Sequence, residues 1–374
     1  MTLSAADARD LARDLAAQFA TRADEADRRG KLPAADVRAL RESGYAALAI
    51  PREYGGADLD LRTCTEAQLE LAQGSGSTAL VAAMQLQVTG NARLNRPWDD
   101  ALYERLCRDI ATTGALCNSI ASEPEIGSPS RGQFFATTAE PSDGGYRLNG
   151  RKTWSTGGRH LSYLLVGATL GDRPAGFLVE TDRPGIEWVE TWGDGLALRA
   201  ADNHDVYFND TQIPADNLLD KRDSPYKPLQ PWAPMMFASV YLGIGLAARD
   251  AVIRYALERV PKALGEPIAT LPKIQRLIGE IDMALMAARA LLLEVAAEGG
   301  RGAFARIAAA KQYAVEVANE VTDQAIRIAG GAGVTRALPL ERYFRDVRAG
   351  HMQPPNGDAA LEAVGQGAIS ELTQ

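Results

Sequence analysis

The spacing of apolar residues changes twice along the chain, and this change restricts the possible folds more than any other feature. Up to about residue 110, apolar residues recur at helical spacing, for example at Leu11, Leu15 and Phe19. Between about residues 112 and 220 the chain consists of short β-rich runs separated by turn signals such as DGG and GDRPAG. Helical spacing then returns in three long stretches, 237–258, 271–297 and 303–329.

This order of segments predicts an α+β multidomain fold. Residues 1–110 should form an N-terminal α-helical domain, residues 111–222 a central antiparallel β domain, and residues 223–374 a C-terminal α-helical bundle. The chain has 374 residues, of which 46% are hydrophobic, so it can bury a large core.

Composition excludes several classes of partner and site. The net charge of −8 and the lack of any Lys/Arg run argue against nucleic acid. The three cysteines form no C-x-x-C pair and the three histidines are not at metal-ligand spacing, so we predict neither a disulfide framework nor a metal site. The first residues are polar and acidic, unlike a signal peptide, and no apolar run approaches membrane-spanning length. We therefore expect a cytoplasmic protein that does not enter a membrane.

Two segments of the predicted β domain have the composition of a site for a flat ligand. SIASEPEIGSPSRG, 119–132, is rich in hydroxyls and glycine, and GRKTWSTGG follows at 150–158. Small residues let a planar ring approach the backbone, hydroxyls can bond its polar edge, and Trp154 can cover one face. The alternative is that these are ordinary β turns around one buried tryptophan.

SEPEIGSPSRG and NGRKTWSTGG together resemble the flavin-binding segments of the acyl-CoA dehydrogenase family. Three further segments are similar and occur in the family's order: GKLPAADVRALRESGYAALAIPREYGG, ADNHDVYFNDTQIPADNLL and QAIRIAGGAGVTRALPLERYFRDVR. The resemblance covers nearly the whole chain. It implies the family fold, in which the C-terminal domain is a four-helix bundle.

The resemblance also implies a function. The expected activity is FAD-dependent α,β-dehydrogenation of an acyl thioester of CoA or of a carrier protein, with an electron-transfer flavoprotein as a partner. Family members form homodimers or homotetramers in which one subunit helps to bind its neighbour's FAD.

Several residues match family positions around the flavin ring. Ser122 corresponds to a hydroxyl that faces the pyrimidine edge, and Ser128 to a serine beside the cofactor and the substrate tail. Trp154 corresponds to the tryptophan over the flavin, and Thr156 to the threonine that reaches N5. Without the resemblance, Thr156 would be read as an ordinary strand threonine.

Other matches concern the diphosphate of FAD. Arg259 corresponds to the family arginine that meets this group, although the phenylalanine and glycine that usually follow it are absent here. Arg327 occupies a position where many relatives have a glutamine facing a neighbouring subunit's FAD, and its guanidinium suits a pyrophosphate. Gly330 and Gly331 are expected to allow close approach of that ligand, although taken alone they indicate a helix C-cap.

The segment FRDVRAGHMQPPNGD, 344–358, departs from the family. In most relatives the segment after the pair equivalent to Arg345 and Asp346 carries a glutamate that removes the substrate's α-proton. Here Pro354 falls at that position without a gap, and Asn356 falls there if two residues are inserted. Some relatives supply the glutamate from the first bundle helix, but that position is near Met235. None of these side chains is a base.

Three explanations stay open. Asp358 is the candidate catalytic base, although an N-cap of the last helix is the favoured role for an aspartate there. Alternatively, the chain is a flavin-dependent monooxygenase on the same fold, which needs no such base and could use His204 or His351. A third possibility is a flavin-binding subunit without catalytic activity.

Overall fold

The computed structural model describes residues 3–95, 98–125, 134–219, 231–299 and 304–373. Its N-terminal part contains five helices among these residues: α1 Ala5–Arg29, α2 Ala34–Glu42, α3 Leu61–Ala72, α4 Gly76–Asn95 and α5 Asp100–Thr113. The Ser4 side chain and that of Asp7 form a reciprocal capping box at the start of α1. Helix α5 continues to Thr113, past the predicted domain boundary at residue 110.

A sheet follows, with these strands in the described residues: β1 Cys117–Ile120, β2 Thr138–Ser142, β3 Gly145–Ser155, β4 Tyr163–Leu170, β5 Arg173–Glu180, β6 Ile186–Val189 and β7 His204–Pro214. The strand order is β1-β4-β2-β3-β7-β6, and β5 pairs with β4. Most pairs are antiparallel, but β1 and β2 both pair with β4 in parallel. The sheet is therefore mixed, which corrects the prediction of an antiparallel domain. Parallel neighbours need long connections, and both β1 and β2 are separated from β4 by other elements.

The C-terminal part is helical again: α6 Trp232–Glu258, α7 Pro272–Ala297, α8 Phe304–Ala329, α9 Leu340–Asp346 and α10 Gly357–Thr373. Helix α6 packs against α3, α4, α7 and α8, so the two helical parts share one core. Gly243 lets α6 approach α3 closely, since a Cβ there would lie 2.6 Å from the Ala72 Cβ. A second core lies between the sheet and α5.

Helix α6 is apolar over most of its surface because it is surrounded by other helices. By length and composition it could cross a membrane, but 78% of its apolar window is buried inside the protein. The prediction that no apolar run reaches membrane-spanning length was therefore wrong for α6. Such burial is typical of a helix in the core of a globular protein.

Candidate flavin site and proline corner

The two segments predicted to bind a flavin are neighbours in the fold. The backbone N–H of Thr153 donates to the carbonyl of Ser122 at 3.0 Å, which places Ser122 beside the end of β3. Ser122 itself is half-buried. Ser128 lies outside the described residues. The structure thus brings together one hydroxyl of the first segment with the Trp154 region of the second.

A buried ion pair joins the same two segments. Lys152 Nζ lies 2.6 Å from Glu123 Oε1, and neither side chain is exposed to solvent. The Glu123 carboxylate also accepts the backbone N–H groups of Ala136 and Thr137, at 2.6 and 3.0 Å. Burial lowers the pKa of Lys152 to about 8, against the opposing effect of Glu123. For Glu123 burial acts against ionisation, but the bonds from Lys152 and Thr137 still lower its pKa.

Trp154 has the geometry of a platform. Its side chain is 58% exposed, which is unusual for tryptophan, and its φ of +56° lies in the left-handed region. Such backbone conformations are costly for residues other than glycine and cluster at functional sites. Gly157 and Gly158, which follow, also have positive φ. The exposed ring therefore stands at a turn that the surrounding structure holds in place.

Thr156 is a buried residue of the same turn. Its backbone N–H donates to the Trp154 carbonyl at 2.9 Å, and its carbonyl accepts from Asn118 Nδ2 at 3.1 Å. Its hydroxyl has no partner among the described residues. Two buried polar atoms close by, Ser155 Oγ and Asn118 Oδ1, also lack hydrogen-bond partners. Buried polar atoms are rarely left unpaired, so these residues fit a polar, flat ligand such as a flavin.

The residues predicted to contact the FAD diphosphate lie elsewhere on the surface. Arg259 follows α6 and is exposed. Arg327 is 75% exposed and pairs with Asp323 at 2.8 Å. Gly330 and Gly331 form a 3₁₀ turn after α8, and a Cβ at either would meet no atom within 4 Å. No contact among the described residues brings these four to Trp154.

The proline corner, residues 347–356, begins at a buried carboxylate. Asp346 Oδ1 accepts the backbone N–H of Leu198 at 2.7 Å. Burial raises the pKa of Asp346 to about 6, although the Arg342 charge opposes the rise. Ala201, three residues after Leu198, accepts the N–H of Gly157 at 2.9 Å. The loop 198–201 therefore connects the corner to the Trp154 turn.

The far end of the corner is held by Lys311 of α8, which is fully buried. Its Nζ donates to the carbonyls of Gly350, Gln353 and Pro355 at 2.8, 2.9 and 2.9 Å. Burial lowers the pKa of Lys311 to about 8. Sequence reasoning missed both Lys311 and the Lys152–Glu123 pair. A signal was present for Lys311, because it interrupts the apolar stripe of α8 between Ile307 and Val315.

Asn356 caps α10. Its Oδ1 accepts the N–H of Ala359 at 3.1 Å, and its carbonyl accepts the N–H of Ala360 at 2.8 Å. The favoured capping role for Asp358 is therefore wrong, because a cap must precede the helix and Asp358 lies inside its first turn. The Asp358 carboxylate is exposed and has no hydrogen-bond or ion-pair partner among the described residues.

The histidines considered for a monooxygenase occupy different surroundings. His204 is buried, its Nδ1 accepts the N–H of Thr191 at 3.2 Å, and its Nε2 lies 3.7 Å from Asp202. His351 lies in the corner, 3.9 Å from Glu316. Within the described parts of the chain, no cluster of three or more His, Cys, Asp or Glu side chains could hold a metal ion.

Three family models match the chain in order. The N-terminal domain of acyl-CoA dehydrogenases matches residues 4–112, the middle domain residues 119–211, and the C-terminal domain residues 235–353. The chain is also 35% identical over 356 residues to the putative acyl-CoA dehydrogenase YdbM of Bacillus subtilis, with 93% of this chain and 92% of the relative covered.

Solved structures share the whole fold. Butyryl-CoA dehydrogenase from Megasphaera elsdenii matches with a TM-score of 0.88 and 24% identity over 99% of both chains. Dibenzothiophene monooxygenase TdsC from Paenibacillus sp. A11-2 matches with a TM-score of 0.84 and 23% identity over 97% of both chains. At these identities the two structures show the fold alone. They confirm the predicted arrangement of helical, sheet and helical domains.

Proposed function

Because this chain belongs to the acyl-CoA dehydrogenase family, we propose that it is an FAD-dependent oxidoreductase that removes hydrogen from the α and β carbons of an acyl thioester. The observation that carries the proposal is the exposed side chain of Trp154 together with the hydroxyl of Thr156, two residues further on, which has no hydrogen-bond partner among the described residues. A flavin ring would satisfy both, because its polar edge accepts or donates hydrogen bonds and its face stacks on indole. Bound FAD would supply the hydride acceptor.

The chain's own residues have distinct roles in this proposal. Trp154 covers the ring and excludes water, and Ser122 bonds the ring's polar edge next to β3. Glu123 and Lys152 fix the relative position of the two segments. The family's glutamate is absent from the corner, and Asp358 is the nearest carboxylate beyond Asp346. We assign proton removal to Asp358, since Asn356 caps the helix and the Asp358 carboxylate has no partner among the described residues.

FAD rather than FMN is proposed because four candidate residues suit a diphosphate, namely Arg259, Arg327, Gly330 and Gly331. Arg327 points to a second subunit, since no contact within the described chain joins it to the Trp154 region. A homodimer or homotetramer is also supported by exposed apolar side chains on α7 and α10: Met283, Met286, Leu361, Ile369 and Leu372. We further propose an electron-transfer flavoprotein as acceptor and a cytoplasmic location.

Anaerobic mixing with a panel of acyl thioesters tests the function. The purified protein should be yellow with near-stoichiometric FAD, and one or more thioesters should bleach it. Asp358→Asn should slow bleaching by about 10² to 10⁴-fold, as expected for a lost positioned base, without changing FAD content. Glu362→Gln, which removes another exposed carboxylate of α10, is the control. Colourless protein that takes up no FAD, or wild type that no thioester bleaches, contradicts the proposal.

Substitution of Arg327 tests whether two subunits share one FAD site. Arg327→Ala should weaken FAD binding by about tenfold or more, because hydrogen bonds to charged groups contribute roughly 1.5–3 kcal/mol. Arg29→Ala is a matched control, since Arg29 is 73% exposed and pairs with Glu25 at 2.7 Å in the same i,i+4 geometry. A monomer that holds FAD tightly in the Arg327 variant would refute a shared site.

A flavin monooxygenase is the second candidate function. It is favoured by the corner itself, which has proline and asparagine where a glutamate is expected, and the fold is compatible because TdsC shares it. This reaction needs no base for an α-proton. Oxygen consumption with reduced flavin, together with the absence of bleaching by every thioester, would favour it over dehydrogenation.

A further inference from the structure

Lys311 is placed where a lysine is seldom found. It lies on the buried face of α8 with no exposed surface, and no carboxylate of the described residues is bonded to its ammonium group. Burying a charge without a counter-ion is costly unless hydrogen bonds replace the lost water. A methionine of similar length would fill the same space without that cost. The ammonium group therefore has a role that packing alone does not explain.

All three N–H donors of Lys311 are used on one short segment. They bond to the carbonyl of Gly350, within the 3₁₀ turn Val347–His351, and to those of Gln353 and Pro355, which precede the cap of α10. A lysine ammonium has three donors and no acceptor, so its capacity is filled. It has no proton left for a reacting atom, which excludes Lys311 as a catalytic group.

The same segment is restrained on its other side. A Cβ at Gly350 would lie 2.9 Å from Val315 and 3.0 Å from Tyr241, so α8 and α6 both press on the backbone there. Tyr241 is fully buried against this segment. The corner is thus confined between two helices, and Lys311 supplies three of the hydrogen bonds that hold its path.

The last of the three carbonyls decides where α10 starts. Pro355 directly precedes Asn356, which caps the helix, and Asp358 lies two residues further on. A side chain in the first turn of a helix points in a direction set by the first helical residues. Fixing the Pro355 carbonyl therefore fixes the direction in which the Cα–Cβ bond of Asp358 points.

We propose that Lys311 is a positioning residue that holds the proline corner so that Asp358 faces the substrate's α-carbon. This inference rests on the function proposed above. Lys311 acts through Asp358 and touches neither substrate nor cofactor. An arginine cannot replace it fully, because its planar guanidinium cannot direct three donors to three carbonyls arranged around one nitrogen.

The test compares Lys311→Met with Lys311→Arg and with Lys273→Met, an exposed control on α7. Hydrogen exchange should become about tenfold faster at the amides of Ala359 and Ala360 in Lys311→Met, because the start of α10 loses the hydrogen bonds that hold it, while α1 keeps its protection. Flavin content and substrate affinity should be unchanged. The rate of flavin reduction should fall by about 10²-fold, as displacement of a catalytic group by 1 Å can cause.

The outcomes separate this inference from the function. Unchanged exchange at Ala359 and Ala360 in a folded Lys311→Met protein overturns the positioning role whatever the activity. Faster exchange with an unchanged reduction rate shows that the corner does not serve the reaction, and also overturns it. If wild type is not reduced by any thioester, the proposed function fails, and the role of Lys311 toward a substrate fails with it. If Lys311→Met does not fold, Lys311→Arg should show the same changes with smaller amplitude.

Discussion

Two regions of this molecule are each organised around a fully buried lysine, and they differ in what the lysine binds. In the Trp154 region, Lys152 is bonded to the Glu123 carboxylate at 2.6 Å, so the pair carries no net charge. In the proline corner, Lys311 is bonded to three backbone carbonyls and keeps its charge. Burial lowers the pKa of both lysines to about 8.

The difference shows how each region is specified. A carboxylate partner ties two side chains together and therefore fixes two strands of the sheet domain relative to each other. Carbonyl partners tie a side chain to a path of the backbone, whatever residues that path contains. The corner can thus keep its course whatever side chains its sequence, PPN, presents.

Removing Lys152 should give the largest effect. Lys152→Met leaves the Glu123 charge buried without its ion-pair partner, so the free energy of unfolding should fall by about 3–5 kcal/mol and flavin should be lost. The double variant Lys152→Met with Glu123→Gln should recover part of that stability, because no unpaired charge is left. Urea unfolding and flavin absorbance measure both quantities.

The control for this prediction is Arg108→Met. Arg108 lies at the same distance, 2.6 Å, from Glu104, but the two side chains are 54% and 46% exposed. Such exposed pairs contribute about 1 kcal/mol or less. If Lys152→Met were as mild as Arg108→Met, or if the double variant were no more stable than the single one, the buried pair would not be what holds the two segments together.

Raising the pH should affect the corner next most strongly. With a pKa of about 8, Lys311 loses most of its protonation between pH 7 and pH 9. The neutral amine has two donors for three carbonyls, so we expect flavin reduction to slow by about tenfold over this range, at constant flavin content. The measurement is the single-turnover reduction rate at each pH.

The free energy of unfolding should rise with pH, whereas the rate of flavin reduction should fall. The pKa of Lys311 is lowered from 10.5 to about 8 by folding, so the unfolded chain binds more protons between these values. The contribution of this residue to the free energy of unfolding therefore rises with pH across that window. Lys311→Met should remove this part of the pH dependence and leave the similar part due to Lys152. Equal pH profiles in wild type and Lys311→Met would contradict the assignment.

The sequence predicted the long helices better than it predicted the proline corner. Apolar spacing located α6, α7 and α8 to within about five residues, because each helix buries a regular set of side chains. The two flavin segments were predicted to act together from the resemblance, and the bond from Thr153 to Ser122 places them side by side.

The features that the sequence did not predict depend on contacts between residues that are distant in the sequence. The parallel pairing of β1 with β4 joins Cys117 to Tyr163, which no local pattern specifies. Lys311 binds carbonyls 39 to 44 residues away, so its apolar neighbours show that it is buried but not what it binds. The choice of Asn356 over Asp358 as cap depends on where α10 begins, and the proline pair predicts that start only approximately.

Thr156 should give the smallest effect and is the closest test of the flavin side of the comparison. Its hydroxyl has no partner among the described residues, whereas each donor of Lys311 is already bonded. If a flavin supplies the missing partner, Thr156→Ala should weaken FAD binding by about two- to tenfold, the worth of one neutral hydrogen bond, and shift the reduction potential. Thr156→Ser retains the hydroxyl and should restore both values, as equilibrium titration and potentiometry would show. Equal losses in the alanine and serine variants would mean that the threonine methyl group, through packing, matters more than its hydroxyl. Unchanged binding in both variants would mean that the flavin does not approach this turn.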